Sequence, residues 1–178
     1  MQPEAIQPTK HSIRVGDPKA PVQIVEYINL RCPDSRYYEM SIAPYLKPYI
    51  ERGEVVRYLK HFDKDKGVLE RGKWAFRYVP TDEDDAYHWV HFFFEHQAEW
   101  GNLATEAGIK AYAEKQGLSP RADATSVSEQ VLREVETVGV ERIPTVFVNG
   151  TAFIEKFAAE DFQTAVTEAL RQRTGAND

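Results

Sequence analysis

The clearest hydrophobic run near the start of the chain is VQIVEYI, residues 22–28, which is apolar at most positions. A short run of this kind is typical of a strand buried on both faces of a sheet. Apolar residues then recur at helical spacing from Tyr38 to Tyr49, and EVVRYLKHF, residues 54–62, has the pattern of a second strand. The order strand, helix, strand predicts a right-handed crossover with the two strands parallel.

Prolines and glycines mark the ends of this unit. Proline suits the first turn of a helix, so the predicted helix can begin at Pro33. Pro44 and Pro48 lie inside the helical pattern and should kink or end it, and Gly53 should stop it before the second strand. Upstream, residues 1–12 are polar and are expected to form a loose arm.

The pattern changes between residues 63 and 137, where apolar positions have helical spacing and convincing strands are lacking. Helices are expected within residues 67–79, 84–100, 105–118 and 125–138. This stretch is therefore predicted to be a helical block.

Strand character returns in PTVFVNG, residues 144–150, and continues in TAFIEKF, residues 151–157. The pair Asn149-Gly150 between them is the strongest short-range signal for a hairpin. Residues 158–173 close the chain as an amphipathic helix. The full order predicts an α/β fold in which the outer pieces form one sheet and the helical block is an insertion.

Cys32, in the turn RCPDS, is the only cysteine in the sequence. It follows the first strand and comes at the start of the first helix, where unpaired backbone amides and the helix dipole stabilise a thiolate. Sites in open α/β sheets also form at the carboxyl ends of strands. A lone cysteine is often inert packing, but the polar neighbours Arg31, Asp34 and Arg36 favour a reactive role for this one.

The segment GDPKAPVQIVEYINLRCPDS resembles the opening of the DsbA-like branch of the thioredoxin superfamily. In that branch, a G-x-x-x-A-P-V turn leads into a strand, a glutamate and a C-x-x-C motif at a helix start. IPT, residues 143–145, is similar to the family's cis-proline loop, and the family also carries a helical domain inside its thioredoxin fold. The resemblance implies a thioredoxin-like domain of residues 1–62 and 138–178, with an inserted helical domain at residues 63–137.

The resemblance also implies roles for individual residues. Cys32 matches the nucleophilic cysteine, and Glu26 matches the buried acid under the active site. Ile143 and Pro144 match the cis-proline loop, whose backbone would pair with an extended substrate segment by strand addition. Ser35 stands where the family has its second, resolving cysteine, and is a departure from the family pattern.

A serine in place of the resolving cysteine changes the expected chemistry. Cys32 can still form a mixed disulfide, but the step in which the chain expels its own substrate is missing. The sequence therefore predicts a monothiol thiol–disulfide oxidoreductase that acts on protein or peptide thiols and disulfides. It needs no bound cofactor, and glutathione is a candidate co-substrate for release. Two other functions stay open, a redox-inactive peptide-binding module and a glutathione-dependent transferase or isomerase.

Groups close to the cysteine are expected to tune its thiolate. Arg31 favours the charged form, whereas the carboxylate of Asp34 disfavours a second negative charge beside it. Pro33 sets the start of the helix. The hydroxyl of Ser35 can donate a hydrogen bond to the thiolate.

Glu26 lies in a strand that is expected to be buried, so the pKa of its carboxyl should rise. An acid of this kind is a candidate proton relay for the thiol. Arg57 and Lys60 on the next strand are both possible partners for it, and the spacing does not choose between them.

Composition limits the remaining functions. The chain has 178 residues, a formal net charge of -6 and a pI of about 5.4, so binding to nucleic acid or an anionic membrane is not expected. No apolar run is long enough for a membrane span, and no signal peptide is visible. A single cysteine also rules out an internal disulfide, which fits a reducing compartment. A cytoplasmic location is therefore expected, with a mature exported form as the alternative.

Two further groups of residues each have a structural and a functional interpretation. Three histidines and a glutamate can share one helix face, and their spacing could ligate a metal. An amphipathic helix with histidines at its margins is favoured instead, and no metal is predicted. That set is His88, His91, Glu95 and His96. Basic residues recur from Lys64 to Arg77, and a solvated surface is favoured over a contact with glutathione or an acidic peptide.

Overall fold

The computed structural model describes residues 1–82 and 84–175. The strands are β1 (Ile13–Val15), β2 (Val22–Ile28), β3 (Val55–His61), β4 (Thr145–Val148) and β5 (Thr151–Ile154). The α-helices are α1 (Pro33–Tyr37), α2 (Lys47–Glu51), α3 (Glu70–Phe76), α4 (Ala86–Glu95), α5 (Gln97–Trp100), α6 (Glu106–Lys115), α7 (Ala124–Val138) and α8 (Ala159–Gly175). Short 3-10 segments are Pro3–Ala5, Ala43–Leu46 and Gly67–Leu69, and a π-helical segment is Tyr38–Ile42.

The strands form one sheet in the order β1-β3-β2-β4-β5. The central pair, β2 and β3, is parallel, with Val25 opposite Tyr58, and the other neighbouring pairs are antiparallel. Asn149 and Gly150 join β4 to β5 with positive φ angles of 48° and 82°, as the favoured hairpin turn requires. The predicted α/β order is confirmed. The edge strand β1 was not predicted, because three residues carry too little pattern to identify a strand.

The segment after Cys32 is helical but irregular, as the prolines predict. Helix α1 ends at Tyr37, and the π-helical and 3-10 segments follow before α2 begins. Pro44 lies in the 3-10 segment and Pro48 in the first turn of α2, where its missing amide hydrogen leaves no intrahelical bond unmade.

Helices cover both faces of the sheet. Val22 and Ile24 of β2 pack with α8 through Phe162 and Val166, and the segment after Cys32 packs in the same cluster. Val25 of β2 belongs to the opposite cluster, which α7 completes through residues including Val131, Val135 and Val138. The division into residues 1–62, 63–137 and 138–178 stays a prediction, and most of α7 falls inside the predicted insertion although it covers the sheet.

Helices α3 to α6 form a third cluster beside the sheet. Its centre is aromatic, with Phe93, Phe94 and Trp100 fully buried, and Leu30 joins it from the turn before Cys32. The helical block is therefore packed directly against the turn that carries the cysteine. Within residues 1–82 and 84–175, no helix combines the length and apolar character that crossing a membrane requires.

The prediction of a loose N-terminal arm is wrong. The Gln2 amide donates to the Val138 carbonyl at 2.7 Å, and Lys60 Nζ donates to the Gln7 carbonyl oxygen at 2.6 Å. Ala5 and Ile6 pack against the cluster under α7. The arm docks because it buries these apolar side chains and satisfies donors that its mostly polar composition does not reveal.

A buried polar cluster joins α7 to the sheet. Lys60 is fully buried, and its ammonium pairs with Glu134 of α7. The Tyr27 hydroxyl donates to the same Glu134 carboxylate. Burial lowers the pKa of Lys60, and the bond to Glu134 opposes that change. The positive charge of Lys60 is therefore compensated by the carboxylate of Glu134.

Removing that carboxylate should destabilise the fold. We expect Glu134→Gln to lower the free energy of unfolding by about 3 kcal/mol, because it leaves a buried ammonium without a counter-charge. Urea unfolding followed by circular dichroism measures the change. Glu136→Gln, on the exposed side of α7, is the matched control and should stay within about 0.5 kcal/mol of the parent chain. Equal losses in the two variants would contradict this account of Lys60.

Candidate functional site

Cys32 is the N-cap residue of α1, as the sequence predicts. Its backbone is extended, with φ of -69° and ψ of 123°, and Pro33 takes the first helical position. The sulfur accepts a hydrogen bond from the Ser35 amide at 3.5 Å. It therefore lies at the positive end of the helix, although only 5% of the residue's surface is exposed.

The loop before β4 closes over the sulfur. The Ile143–Pro144 peptide bond is cis, and the Ile143 carbonyl oxygen lies 3.6 Å from Cys32 Sγ. Phe62 and Ile143 pack in the same apolar cluster as Cys32. The fold thus brings together two loops separated by more than 100 residues, as the resemblance implied for Cys32 and Pro144.

These two contacts act in opposite directions on the sulfur. The Ser35 N–H dipole stabilises a thiolate, whereas the Ile143 carbonyl oxygen accepts the proton of a thiol and repels an anion. A protonated sulfur makes both contacts. A thiolate keeps the amide contact but loses the contact with the carbonyl.

Ser35 is fully buried and holds the turn rather than the sulfur. Its hydroxyl oxygen accepts a hydrogen bond from the Asn29 amide at 3.3 Å. The contact with Cys32 runs through the Ser35 backbone N–H. Among the described residues, no hydrogen bond joins the Ser35 hydroxyl to the Cys32 sulfur, so donation from this hydroxyl to a thiolate stays a prediction.

Asn29 organises the turn between β2 and Cys32. Its Nδ2 donates to the carbonyls of Phe62 and Leu69 at 3.1 and 3.2 Å, and its Oδ1 accepts from the Arg31 amide at 2.9 Å. Helix α3 approaches so closely that a Cβ on Gly72 would lie 2.1 Å from Asn29 Oδ1. Only glycine fits at this position, so the backbone of α3 packs directly against the cysteine turn.

Two more side chains hold Leu30 and Cys32. His61 Nε2 accepts from the Leu30 amide at 3.0 Å, and His61 Nδ1 lies 2.6 Å from an oxygen of Asp63. This pair of contacts places the ring proton on Nδ1. From the helical block, Gln97 Nε2 donates to the Leu30 and Cys32 carbonyls at 2.7 and 3.3 Å. Both sheet and insertion therefore position the cysteine.

Arg57 is the partner of Glu26. Its Nε and Nη2 donate to the two oxygens of Glu26 at 2.6 and 2.9 Å, and Nη2 also donates to Glu39 at 2.6 Å. Lys60 points to α7 instead, because successive residues of β3 face opposite sides of the sheet and Lys60 is three positions after Arg57. All three members of this ion cluster are buried.

The two carboxyls of this cluster differ in pKa. Burial raises the pKa of Glu26 and outweighs the charge of Arg57, so the predicted direction is confirmed. Burial alone would also raise the pKa of Glu39. However, Arg57 and hydrogen bonds from His91 and Tyr87 outweigh burial and lower it. Negative charge is therefore favoured on Glu39 over Glu26.

Glu26 is not hydrogen-bonded to the cysteine turn. Its carboxylate contacts Arg57 and also accepts from the Tyr38 hydroxyl at 3.0 Å. Among the described residues, no hydrogen bond joins it to Cys32 or Ser35. A proton relay from Glu26 to the thiol therefore stays a prediction.

The other predicted residues lie around the turn. Arg31 Nε donates to the Gly101 carbonyl at 2.7 Å. Asp34 is half-buried and lies 3.9 Å from Lys156, which offsets part of its negative charge. The four side chains of the histidine segment do not converge. His91 faces Glu39, and His96 stacks on Phe92. No cluster of three or more potential metal ligands is present in the part of the chain that the structure describes.

A sequence model of the family described as "Thioredoxin" matches residues 8–168. The chain belongs to this thioredoxin family. A solved structure of a conserved protein of unknown function from Enterococcus faecalis V583 is 30% identical with a TM-score of 0.87, covering 94% of this chain and 95% of that one. Wolbachia pipientis α-DsbA1, at 19% identity, has a TM-score of 0.76 with both chains fully covered, and this likeness shows the fold alone.

Several named relatives of this thioredoxin-family chain come from Rickettsia. A Rickettsia prowazekii (strain Madrid E) protein that is named as a protein-disulfide oxidoreductase is 28% identical over 191 residues. The match covers 95% of this chain and 68% of that protein. The chain spans 62% of a Rickettsia typhi protein with the same name. These two relatives are therefore longer than this chain.

Sequence reasoning missed the residues that hold this thioredoxin-family site from a distance. Asn29, His61 and Gln97 bind the backbone of the cysteine turn, but they lie on three different elements. Glu39 follows Ser35 by one helical turn, which suggests a shared face but not a buried ion cluster. Arg71 was noted only as part of a basic stretch. None of these residues forms a motif along the chain.

The His61–Asp63 contact predicts a pH dependence. Burial alone would raise the pKa of Asp63, but hydrogen bonds from His61 and Ser128 outweigh it and lower the pKa. A lowered folded-state pKa stabilises the fold above the unfolded-state pKa, and this stabilisation is lost as the pH falls through the folded-state pKa. We expect Asp63→Asn to lower the free energy of unfolding by about 2 kcal/mol at neutral pH, and by less below about pH 4.

Urea unfolding at neutral and acid pH measures this difference, and amide exchange of Leu30 reports on the turn. Leu30 should exchange faster in Asp63→Asn, because His61 no longer holds its acceptor nitrogen in place. Asp65→Asn is the control, since Asp65 is exposed and pairs only with Lys73 among the described residues. A loss that persists undiminished at acid pH would contradict the assignment to the Asp63 carboxylate.

Proposed function

We propose that this chain is a thiol–disulfide oxidoreductase that acts through Cys32 as a monothiol. The observation that carries the proposal is the position of this single sulfur. It lies at the N-terminus of α1, in contact with the Ser35 amide and beside the cis-proline loop. A fully buried serine occupies the position from which a second thiol would attack.

The proposed reaction has two exchange steps. In the first, the Cys32 thiolate attacks a disulfide, forms a bond to one substrate sulfur and expels the other as a thiolate. In the second, an outside thiolate attacks the substrate sulfur of the mixed disulfide, and Cys32 leaves as a thiolate. Two sulfurs remain joined after each step, so no further oxidant or reductant is consumed. Glutathione is the proposed outside thiol.

The family membership and the name of the Rickettsia prowazekii relative support the reaction class. We infer that the substrates are protein or peptide thiols and disulfides, docked along the cis-proline loop at Ile143 and Pro144. Glu26, Arg31, Pro33 and Asp34 are proposed to tune the thiolate. The expected cytoplasmic location stays a prediction, and it would supply the small thiols that release requires.

Variants at the two positions of the C-x-x-S motif test the monothiol reaction. With a glutathionylated peptide, the parent chain should gain one disulfide-linked adduct, and Cys32→Ser should gain none. Ser35→Cys should form the adduct and then lose it without added thiol, because the second cysteine attacks the mixed disulfide within the same molecule. Intact-mass spectrometry of acid-quenched samples measures all three outcomes.

Thermal unfolding of each variant serves as the control for folding. Persistence of exchange in Cys32→Ser would contradict the mechanism. If Cys32 alkylates no faster than a free cysteine in an unfolded peptide, the chain is better described as a redox-inactive peptide-binding module.

A further inference from the structure

Two arginines beside the cysteine converge on one backbone oxygen. Arg31 Nε donates to the Gly101 carbonyl at 2.7 Å, and Arg71 Nη1 donates to the same oxygen at 2.9 Å. Gly101 itself is required, because a Cβ there would lie 2.4 Å from the Gln97 carbonyl oxygen and 2.9 Å from Arg31 Nε. The turn, α3 and the end of α5 therefore combine to hold two guanidinium groups side by side.

This pair lacks a carboxylate partner. Within residues 1–82 and 84–175, no carboxylate oxygen lies within 4.0 Å of the Arg31 or Arg71 guanidinium. By contrast, the buried Arg57 pairs with two carboxylates. One carbonyl dipole cannot neutralise two cations, and like charges at short distance repel. An anion between or above the guanidinium groups would remove that repulsion.

The pair also has donors left for a ligand. Each guanidinium has five N–H groups, and the structure assigns one nitrogen of Arg31 and one of Arg71 to Gly101. Among the described side chains, the only buried polar atom without a partner is Arg121 Nε. The unassigned nitrogens of Arg31 and Arg71 are therefore open to solvent, and planar guanidinium groups suit a carboxylate.

Arg31 directly precedes Cys32 and lies within electrostatic range of the reacting sulfur. Burial and the nearby Arg71 lower the pKa of Arg31, while the negative charge of Cys32 raises it. Lys64 donates to the Glu141 carbonyl oxygen, and Cys32 is among the charges that raise the pKa of Lys64 against burial. Arg31 and Lys64 are therefore cations within electrostatic range of Cys32, although the chain as a whole is acidic.

We infer that Arg31 and Arg71 form a carboxylate-binding clamp that selects an anionic low-molecular-weight thiol as the partner that releases Cys32. This inference rests on the proposed monothiol function and names the chemistry of its second step. The incoming thiol binds through a carboxylate, which brings its sulfur to the mixed disulfide. Its thiolate then bonds to the substrate sulfur, the bond to Cys32 breaks, and Cys32 leaves with the electron pair.

Glutathione and its monoethyl ester are the probes, because they share one thiol and differ by one carboxylate. A mixed disulfide of Cys32 with uncharged 2-mercaptoethanol is prepared, and its release by each probe is followed by intact-mass spectrometry. At low ionic strength, glutathione should release the parent protein about fivefold faster than the ester. The ratio should fall as salt is added, because exposed charges are screened.

Variants of α3 locate the effect. Arg71→Gln should bring the ratio of the two rates close to one, mainly because release by glutathione becomes slower. Arg71→Lys should restore part of the ratio, since it keeps the charge but not the planar fork. Arg77→Gln is the matched control, because it removes the same charge from the end of the same helix, where Arg77 pairs with Glu106.

A ratio near one in the parent protein, or an unchanged ratio in Arg71→Gln, would overturn the clamp and leave the monothiol reaction intact. If neither thiol releases the adduct, the proposed exchange itself fails, and the clamp fails with it. These outcomes are separable because the ester measures exchange without the second carboxylate.

Discussion

The buried guanidinium of Arg57 is the constraint on which the site depends. Arginine stays protonated at any pH that the fold tolerates, so a buried one must be paired. Arg57 meets Glu26 from the neighbouring strand and Glu39 from the segment that follows α1. One cation therefore ties the parallel pair β2 and β3 to the helical segment that carries Cys32 and Ser35. Moving that segment would remove Glu39 and leave part of the buried Arg57 charge without a counter-charge.

Side chains from the sheet and from the helical block also bind the backbone of the cysteine turn. Asn29 ties it to the end of β3 and to the segment before α3, His61 holds the Leu30 amide, and Gln97 binds two of its carbonyls. Because these hydrogen bonds hold the backbone of the turn, they also restrict the position of the Cys32 sulfur. In the proposed monothiol reaction, exchange takes place at this one sulfur, and a thiol from outside releases it. Arg31 and Arg71 are proposed to select that thiol by its negative charge.

Much of the fold could be predicted because its signals are local. The apolar run of β2, the Asn149-Gly150 turn and the proline at the start of α1 each determine a structure within a few residues. The N-cap position of Cys32 follows from the same patterns. The resemblance then associated Cys32 with Pro144, which no local signal connects. The docked N-terminal arm and the short β1 escaped prediction, because their stability comes from contacts with α7 and β3 rather than from their own residues.

By itself, the sequence determined the order of elements, the helix start at the only cysteine and the replacement of a second cysteine by Ser35. Only the tertiary structure decided which partner each buried charge has. Successive residues of β3 face opposite sides of the sheet, so Arg57 meets Glu26 while Lys60, three positions later, meets Glu134. It also decided that the Ser35 hydroxyl accepts from the Asn29 amide and that Arg31 and Arg71 meet at Gly101. The physical reason is that charge compensation and hydrogen bonding depend on distances in space, and residues far apart in the chain set those distances.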